Sequence, residues 1–244
     1  WILRKLGQKY NTTISLAPKI TVGKAGSGLH IHFMLEKDGE NKMIEDYQLS
    51  DIAKKAIAGL LEYAPALTAF GNTIPTSYLR LVPHQEAPTM VCWGDSNRSV
   101  LVRVPLGWVA KTSMIKDANP QETGEIPYIP GKQTAELRVP DGSADLYHLL
   151  AGMIIAAKKG MLNPGSLKKA EELYVKVNIF KEENKAILDK LIALPQSCYE
   201  SAECLDRQRK AFEENNIFPH GTINKFIEKL KAFDDKGLSE KLYG

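Results

Sequence analysis

The chain has 244 residues, of which 43% are hydrophobic, so it is long and apolar enough to bury a sizeable core in one large or two small domains. Lysine and arginine (32) exceed aspartate and glutamate (29) by only three, so the composition gives no sign of nucleic acid or an anionic membrane as a partner. The three cysteines lack C-x-x-C spacing, which argues against a disulfide framework or a structural zinc site and predicts a cytoplasmic protein. Neither a membrane span nor a signal peptide is predicted.

The first third of the chain predicts a short helix followed by strands. Apolar residues at helical spacing indicate a helix over residues 2–10, and strands are predicted at 14–16 and 31–35, joined by a glycine-containing loop. Asp38-Gly39 is typical of a tight turn. Ser50 is then expected to cap a helix that reaches Phe70.

Pro65 lies late in that helix, which predicts a kink or an early stop near Tyr63. After it the pattern changes to short strands and proline-bearing loops. Three strands are predicted there, at residues 77–82, 90–93 and 99–104.

The second half begins with a strand at 133–139, the turn Pro140-Asp141-Gly142 and an apolar helix at 144–159. Three more helices are predicted, at residues 167–191, 197–214 and 222–233. Strands before residue 140 and helices after it indicate an α+β fold. We expect residues 1–163 to hold the sheet and the site, and residues 164–244 to form a helical portion of the same domain.

Three glycines run directly into a His-x-His segment, in the stretch from Gly23 to Phe33. Glycine permits close backbone approach, and the period of two along a strand sends His30 and His32 to the same face. Taken alone, such a pair is more often surface decoration or two hydrogen-bonded core histidines than a functional site.

Charged residues on the neighbouring predicted strands favour a site. Glu136 and Arg138 share one strand face by the same period of two. Arg103 lies within an otherwise apolar strand, and Arg80 and Arg98 add two more guanidinium groups. A cross-strand salt bridge is the simpler interpretation of Glu136 with Arg138, but several arginines in one pocket indicate an oxyanion ligand.

Glu86 occupies a loop held between two prolines, where a carboxylate on a movable flap can transfer a proton or shield a site from water. Histidine and carboxylate ligands can share a divalent ion, and arginines with a metal neutralise a transferring phosphoryl group. Phosphoryl transfer is therefore the predicted chemistry. The sequence lacks both the phosphate-binding loop G-x-x-x-x-G-K-[ST] and a dinucleotide fingerprint, so an ATP site requires a different architecture.

Four blocks, in this order, resemble the carboxyl-terminal catalytic part of glutamine synthetase: GKAGSGLHIHF, NTIPTSYLRLVPHQEAP, NRSVLVRVP and AELRVPDGSADLYHLLAG. They span residues 23 to about 152. The resemblance implies a curved antiparallel sheet backed by helices, with a helical carboxyl-terminal tail. It also implies ATP with Mg²⁺ or Mn²⁺ as cofactors, glutamate and ammonia as substrates, and a homo-oligomeric full-length protein.

The resemblance further implies a role for each matching residue. His30 and Glu136 would be metal ligands, and His32 would lie near the nucleotide phosphates. Glutamate would be bound by three residues: Gly26, Arg80 and Arg138. Arg98 would neutralise the transferring phosphate and also contact ATP, and Arg103 would assist at the nucleotide. Glu86 would shield the intermediate and take a proton from ammonium. The implied reaction phosphorylates the glutamate side-chain carboxylate, and ammonia then attacks the γ-glutamyl phosphate.

The sequence departs from the family pattern in three places. Ala25 stands where the family commonly has Asn, Thr134 where it has Arg, and His84-Gln85 where it has Gly-Tyr. The departures at Ala25 and Thr134 favour one alternative, a ligase that uses a larger amine. A family-derived protein without activity is a further alternative, against which the presence of five site residues argues: His30, His32, Glu86, Arg98 and Glu136. The family's other metal ligands and its small β-rich domain lie upstream of this region, so we expect the isolated chain to be inactive.

Overall fold

The computed structural model describes residues 1–46, 48–83, 87–95, 97–105, 118–121, 123–124 and 132–243. Eight strands occur in these ranges: β1 (Ile31–Phe33), β2 (Glu36–Lys37), β3 (Glu40–Asn41), β4 (Ile44–Glu45), β5 (Gln48–Leu49), β6 (Trp93–Asp95), β7 (Val102–Val104) and β8 (Ala135–Leu137). The helices are α1 (Ile2–Lys9), α2 (Asp51–Gly71), α3 (Pro75–Arg80), α4 (Leu146–Leu162), α5 (Ser166–Glu172), α6 (Lys185–Leu188), α7 (Cys198–Glu213), α8 (His220–Lys231) and α9 (Leu238–Tyr243), with single 3-10 turns at Glu182–Asn184 and Glu214–Asn216.

Four of the strands form one sheet in the order β1-β8-β7-β6. The β1-β8 and β8-β7 pairs are antiparallel, whereas β7 and β6 are parallel. The α+β prediction is confirmed, and the sheet is mixed rather than wholly antiparallel. Two hairpins, β2-β3 and β4-β5, lie outside it, and the first turns through Asp38 and Gly39 at φ 56° and 78°, as the turn signal predicts.

Helix α2 is the centre of the core. Its N-cap is Ser50, whose hydroxyl accepts a hydrogen bond from the Ala53 amide at 3.2 Å, as predicted. The early stop expected near Tyr63 is wrong, because the helix continues through Pro65 to Gly71. The carbonyl of Pro65 accepts a hydrogen bond from the Thr68 hydroxyl at 2.6 Å.

Other predicted elements also differ from the structure. The strand expected at 77–82 is helix α3, since Pro75 at its first position is preorganised for helix. The strand expected at 14–16 has no regular structure, and Ile14 and Leu16 are exposed. The long helix expected at 167–191 ends at Glu172.

Two apolar side chains are buried in the irregular segment that follows helix α5. Val175 and Ile179 pack with Cys92 and Val100 in a small second core beside β6 and β7. A continuous helix would have carried these side chains away from that cluster. Burial in tertiary contacts therefore overrides the local helical pattern.

The main core joins the sheet, α2 and α4 to the carboxyl-terminal helices, with Phe70, Phe212 and Phe218 in mutual ring contact. Buried residues of this core come from both of the predicted portions, 1–163 and 164–244. The boundary between these portions stays a prediction. Within the ranges given above, no helix has the length and apolar character needed to cross a membrane.

Candidate functional site

Three polar side chains form a row across the sheet. In the strand register, Glu136 of β8 lies directly opposite His32 of β1 on one side and Arg103 of β7 on the other. Residues opposite each other on neighbouring strands project to the same face. The fold therefore brings together three residues that are 33 to 104 positions apart in the sequence. The period-of-two argument predicted which residues of one strand share a face, but not this alignment between strands.

Glu136 is the centre of this row and is only 3% exposed. Its Oε1 oxygen lies 3.1 Å from Nη1 of Arg103 and 3.2 Å from Nε of Arg138, and its Oε2 oxygen lies 3.1 Å from Nε2 of His32. The simpler interpretation, a salt bridge, therefore holds for both arginines: the pair with Arg103 crosses between strands, whereas Arg138 lies two positions after Glu136 in the sequence. One carboxylate between two guanidinium groups leaves an excess of positive charge, which suits an anionic ligand.

His32 is held through both ring nitrogens. Besides the contact with Glu136, its Nδ1 lies 3.0 Å from the hydroxyl oxygen of Thr134. Half of the His32 side chain is nevertheless exposed. One side of the ring therefore faces solvent, while Glu136 of β8 and Thr134, just before that strand, contact its two nitrogen atoms.

Arg138 ties β8 to the segment that precedes β7. Its Nη1 group donates hydrogen bonds to the backbone carbonyls of Arg98 and, at 3.3 Å, of Val100. Arg98 itself lies at the exposed edge of the site, as predicted, with no ion pair to any described residue.

Arg80 projects from α3 and is buried beneath the glycine-rich loop. Its guanidinium group donates to the backbone carbonyls of Val139 at 2.8 Å, Pro140 at 3.2 Å and Arg138 at 3.1 Å. Burial lowers its pKa from the usual value, while the nearby Asp141 carboxylate acts in the opposite direction. These bonds fix the end of β8, and the role of Arg80 in binding glutamate stays a prediction.

The glycines of the loop are required by this packing. A Cβ on Gly28 would lie 3.0 Å from Cζ of Arg80, and one on Gly26 would lie 2.6 Å from the Pro18 carbonyl oxygen. Only glycine allows the loop to approach the Arg80 side chain so closely. His30 and strand β1 follow this loop directly.

His30 lies just before β1, on the exposed side of the loop. Partial burial is the main cause that lowers its pKa, followed by the positive charge of Arg138, and Glu136 opposes the shift. The shift favours the neutral imidazole, which is the form that ligates metals.

The predicted metal ligands do not complete a metal site by themselves. His30 and Glu136 offer two donors, and both Glu136 oxygens already contact cationic or imidazole groups. Among the described residues there is no cluster of three or more His, Cys, Asp or Glu suited to a metal ion. Divalent ions generally need more protein ligands than this pair supplies.

The predicted flap residue Glu86, together with His84 and Gln85, lies outside the described residues. Sequence reasoning also missed some structural contributors. Asp141 is fully buried and accepts hydrogen bonds from the Asn72 amide at 2.8 Å and the Ser143 backbone amide at 2.9 Å. It thereby fixes the turn after β8, and the Pro-Asp-Gly pattern was its only sequence signal.

A cavity of about 400 Å³ lies at the start of α4. Its lining is Thr73, Ser143, Ala144, Asp145, Lys225, Phe226 and Lys229. None of these is a predicted site residue, so the cavity is separate from the charged row.

Comparison with known proteins identifies the family. A family model described as the catalytic domain of glutamine synthetase matches residues 1–237. Glutamine synthetase of Methylococcus capsulatus is 32% identical over 236 residues, covering 93% of this chain and 44% of that protein. Glutamine synthetase of Pyrococcus furiosus is 34% identical over 211 residues, covering 86% and 42%. The chain thus spans less than half the length of these relatives.

Two solved structures share the fold. The cryo-EM structure of Plasmodium falciparum glutamine synthetase has a TM-score of 0.70 at 23% identity, covering all of this chain and 50% of that one. The ligand-free GmaS structure has a TM-score of 0.69 at 20% identity, covering 98% and 48%. The resemblance seen in the four sequence blocks is confirmed, and the chain belongs to the glutamine synthetase catalytic-domain family.

Proposed function

We propose that this chain is part of a longer enzyme that ligates ammonia to the γ-carboxylate of glutamate, using ATP and a γ-glutamyl phosphate intermediate. The observation that supports this most directly is the row of His32, Glu136 and Arg103 on one sheet face in a member of this family. Arg138 adds a second guanidinium group beside the single carboxylate of this row, and the resulting excess of positive charge suits the transfer of a phosphoryl group between two anions.

Arg103 is the residue best placed to meet the nucleotide. Its Nη1 group donates to Glu136 at 3.1 Å, whereas its Nε atom is buried and has no hydrogen-bond partner among the described residues. A buried donor without a partner is costly, and an anionic ligand that accepts from Arg103 would remove that cost. Arg98, exposed at the neighbouring edge, would neutralise charge on the transferred phosphoryl group.

The proposed cofactors are ATP and Mg²⁺ or Mn²⁺. His30 and Glu136 would supply two of the metal's ligands, and the rest would come from outside the described residues. We further propose that Arg80 and Arg138 keep the end of β8 and the glycine-rich loop in place for glutamate, with Gly26 offering its backbone. A cytoplasmic, homo-oligomeric protein stays a prediction.

The test measures phosphate release that depends on both glutamate and ammonium, in the full-length protein that contains this chain and in the 244 residues alone. We expect activity in the first and none in the second. Arg103→Gln in the full-length protein should lower kcat/KM by about 100-fold, the effect of losing one charge-stabilising donor. Arg4→Gln, on the exposed face of α1, is the matched control and should have no effect. An Arg103→Gln protein as active as the control would contradict the proposal.

The second candidate is a ligase that joins glutamate to a larger amine. Ala25 favours it, because an exposed methyl group stands in the loop where the family commonly has an amide. The same assay with ammonium, methylamine and a polyamine separates the two candidates by their kcat/KM values. Glu86→Gln should abolish turnover with either class of amine, since proton removal from the amine is the role expected for Glu86.

A further inference from the structure

Glu136 of strand β8 and Thr134, which lies just before that strand, contact the two ring nitrogens of His32. Thr134 and Glu136 are two positions apart and therefore project from the same face. Nδ1 of His32 lies 3.0 Å from the Thr134 hydroxyl oxygen, and Nε2 lies 3.1 Å from Oε2 of Glu136. The imidazole ring therefore bridges two residues that are two positions apart on the neighbouring segment of chain.

The chemistry of the two partners assigns the hydrogen atoms. An ionised carboxylate only accepts, so Nε2 of His32 carries the hydrogen that it donates to Glu136. In the neutral ring Nδ1 is then an acceptor, and the Thr134 hydroxyl is its donor. Threonine is restricted at χ1, so its hydroxyl loses little rotational freedom in forming this bond.

We propose that Thr134 is a positioning residue that fixes the orientation and tautomer of His32 on the ligand-facing side of the sheet. Without its hydroxyl, the half-exposed ring keeps, among the described residues, only its polar contact with Glu136 and is free to turn about that contact. The functional part of this inference rests on the proposed function, in which His32 faces the nucleotide phosphates. The alternative is that Thr134 serves only as a β-branched residue beside the strand, a role that valine fulfils equally well.

Three variants distinguish these interpretations. Thr134→Val keeps the size and the β-branch but removes the hydroxyl, whereas Thr134→Ser keeps the hydroxyl and removes the methyl group. His32→Gln identifies the His32 signals among those of the five histidines when the chain is labelled with ¹⁵N-histidine. The probe is the ¹⁵N chemical shift of each ring nitrogen in the folded 244-residue chain, without any ligand.

We expect Thr134→Val to shift the Nδ1 resonance of His32, to broaden it or to populate the second tautomer, while Thr134→Ser keeps the native signals. The signals of His220, which is remote on α8 and contacts Glu213, should stay unchanged in both variants and report that the fold is intact. An unchanged His32 in the Thr134→Val protein would overturn the proposal, and so would a Thr134→Ser protein that behaves like Thr134→Val.

The functional arm uses the full-length protein. Loss of one orienting hydrogen bond should raise KM for ATP roughly fivefold in Thr134→Val with kcat changed less than about twofold, and Thr134→Ser should restore the native KM. An unchanged KM would contradict the placement of His32 beside the nucleotide. A full-length protein without any ligase activity would instead refute the proposed function, while the NMR result would still decide whether Thr134 positions His32.

Discussion

Glu136 and Arg103 lie directly opposite each other on adjacent strands, with 3.1 Å between Oε1 and Nη1. Arg138 approaches the same oxygen from the same strand. Because Glu136 is almost completely buried, its negative charge has to be compensated by cationic side chains within the protein, and Arg103 and Arg138 supply them. The pair is therefore part of the folding energetics as well as of the candidate site.

We expect Glu136→Gln to destabilise the chain by about 3 kcal/mol, because it removes the buried carboxylate charge that lies 3.1 Å from Nη1 of Arg103 and 3.2 Å from Nε of Arg138. Urea denaturation followed by circular dichroism measures this as a lower midpoint with an unchanged slope. Glu40→Gln is the control, since Glu40 forms an ion pair with Lys42 at the surface and is 74% exposed. Equal midpoints for the two variants would show that the Glu136 cluster contributes no stability.

The sequence predicted the members of this cluster but not their contacts, because strand periodicity fixes only which residues of one strand share a face. His32, Glu136 and Arg103 were each expected on strands, and the register of the sheet supplied only their alignment. The helix capped by Ser50 was predictable for a similar local reason. Arg80 was different, because its assignment to a strand followed from the pattern of short apolar stretches and proline-bearing loops in that region, and the structure shows that Pro75 begins a helix instead.

Gly28→Ala should destabilise the chain by about 2 kcal/mol through overpacking against Arg80. The added methyl group would lie 3.0 Å from Cζ of an arginine whose guanidinium is held by three backbone carbonyls and therefore does not move aside easily. A double-mutant cycle with Arg80→Ala checks the cause, since the methyl group then has room. An additive cycle would mean that Gly28 is required for another reason.

The part of the site that sequence reasoning missed depends on contacts between distant segments. Thr134 could be identified as a departure from the family pattern, but its bond to His32 requires the register of β1 against β8. The carbonyls that hold Arg80 belong to the turn after β8, which lies about 60 positions away. Patterns of period two or 3.6 contain no information about such pairings.

Tyr174 gives a prediction about pH. Burial, and then the hydrogen bond that its hydroxyl donates to Asp95, raise the pKa of Tyr174 to about 12. A folded-state pKa above the ordinary value of 10 means that the unfolded chain releases this proton first, so the free energy of unfolding falls as the pH rises from 10 to 12. Tyrosinate absorbance of the native chain should show this late ionisation.

Two variants check the cause of the Tyr174 shift. Tyr174→Phe should remove the late ionisation and its share of the stability loss at high pH. Asp95→Asn should lower the pKa of Tyr174 without returning it to 10, because burial is the larger cause. A complete return to 10 would instead assign the whole shift to the Asp95 charge.

The crossing of α2 and α4 should be the part of the core least tolerant of added volume. A Cβ on Gly59 would overlap the Ala156 carbonyl oxygen and lie 2.8 Å from Cα of Gly160, and both neighbours are backbone atoms that no side-chain rotation can move. We therefore expect Gly59→Ala to cost about 3 kcal/mol or more, despite the better helix propensity of alanine. Gly221→Ala, in α8 with no neighbouring atom within 4 Å, is the matched control and should be neutral or slightly stabilising. Thermal unfolding of the two variants measures the difference, and a Gly59→Ala chain as stable as the control would show that the two helices separate without cost.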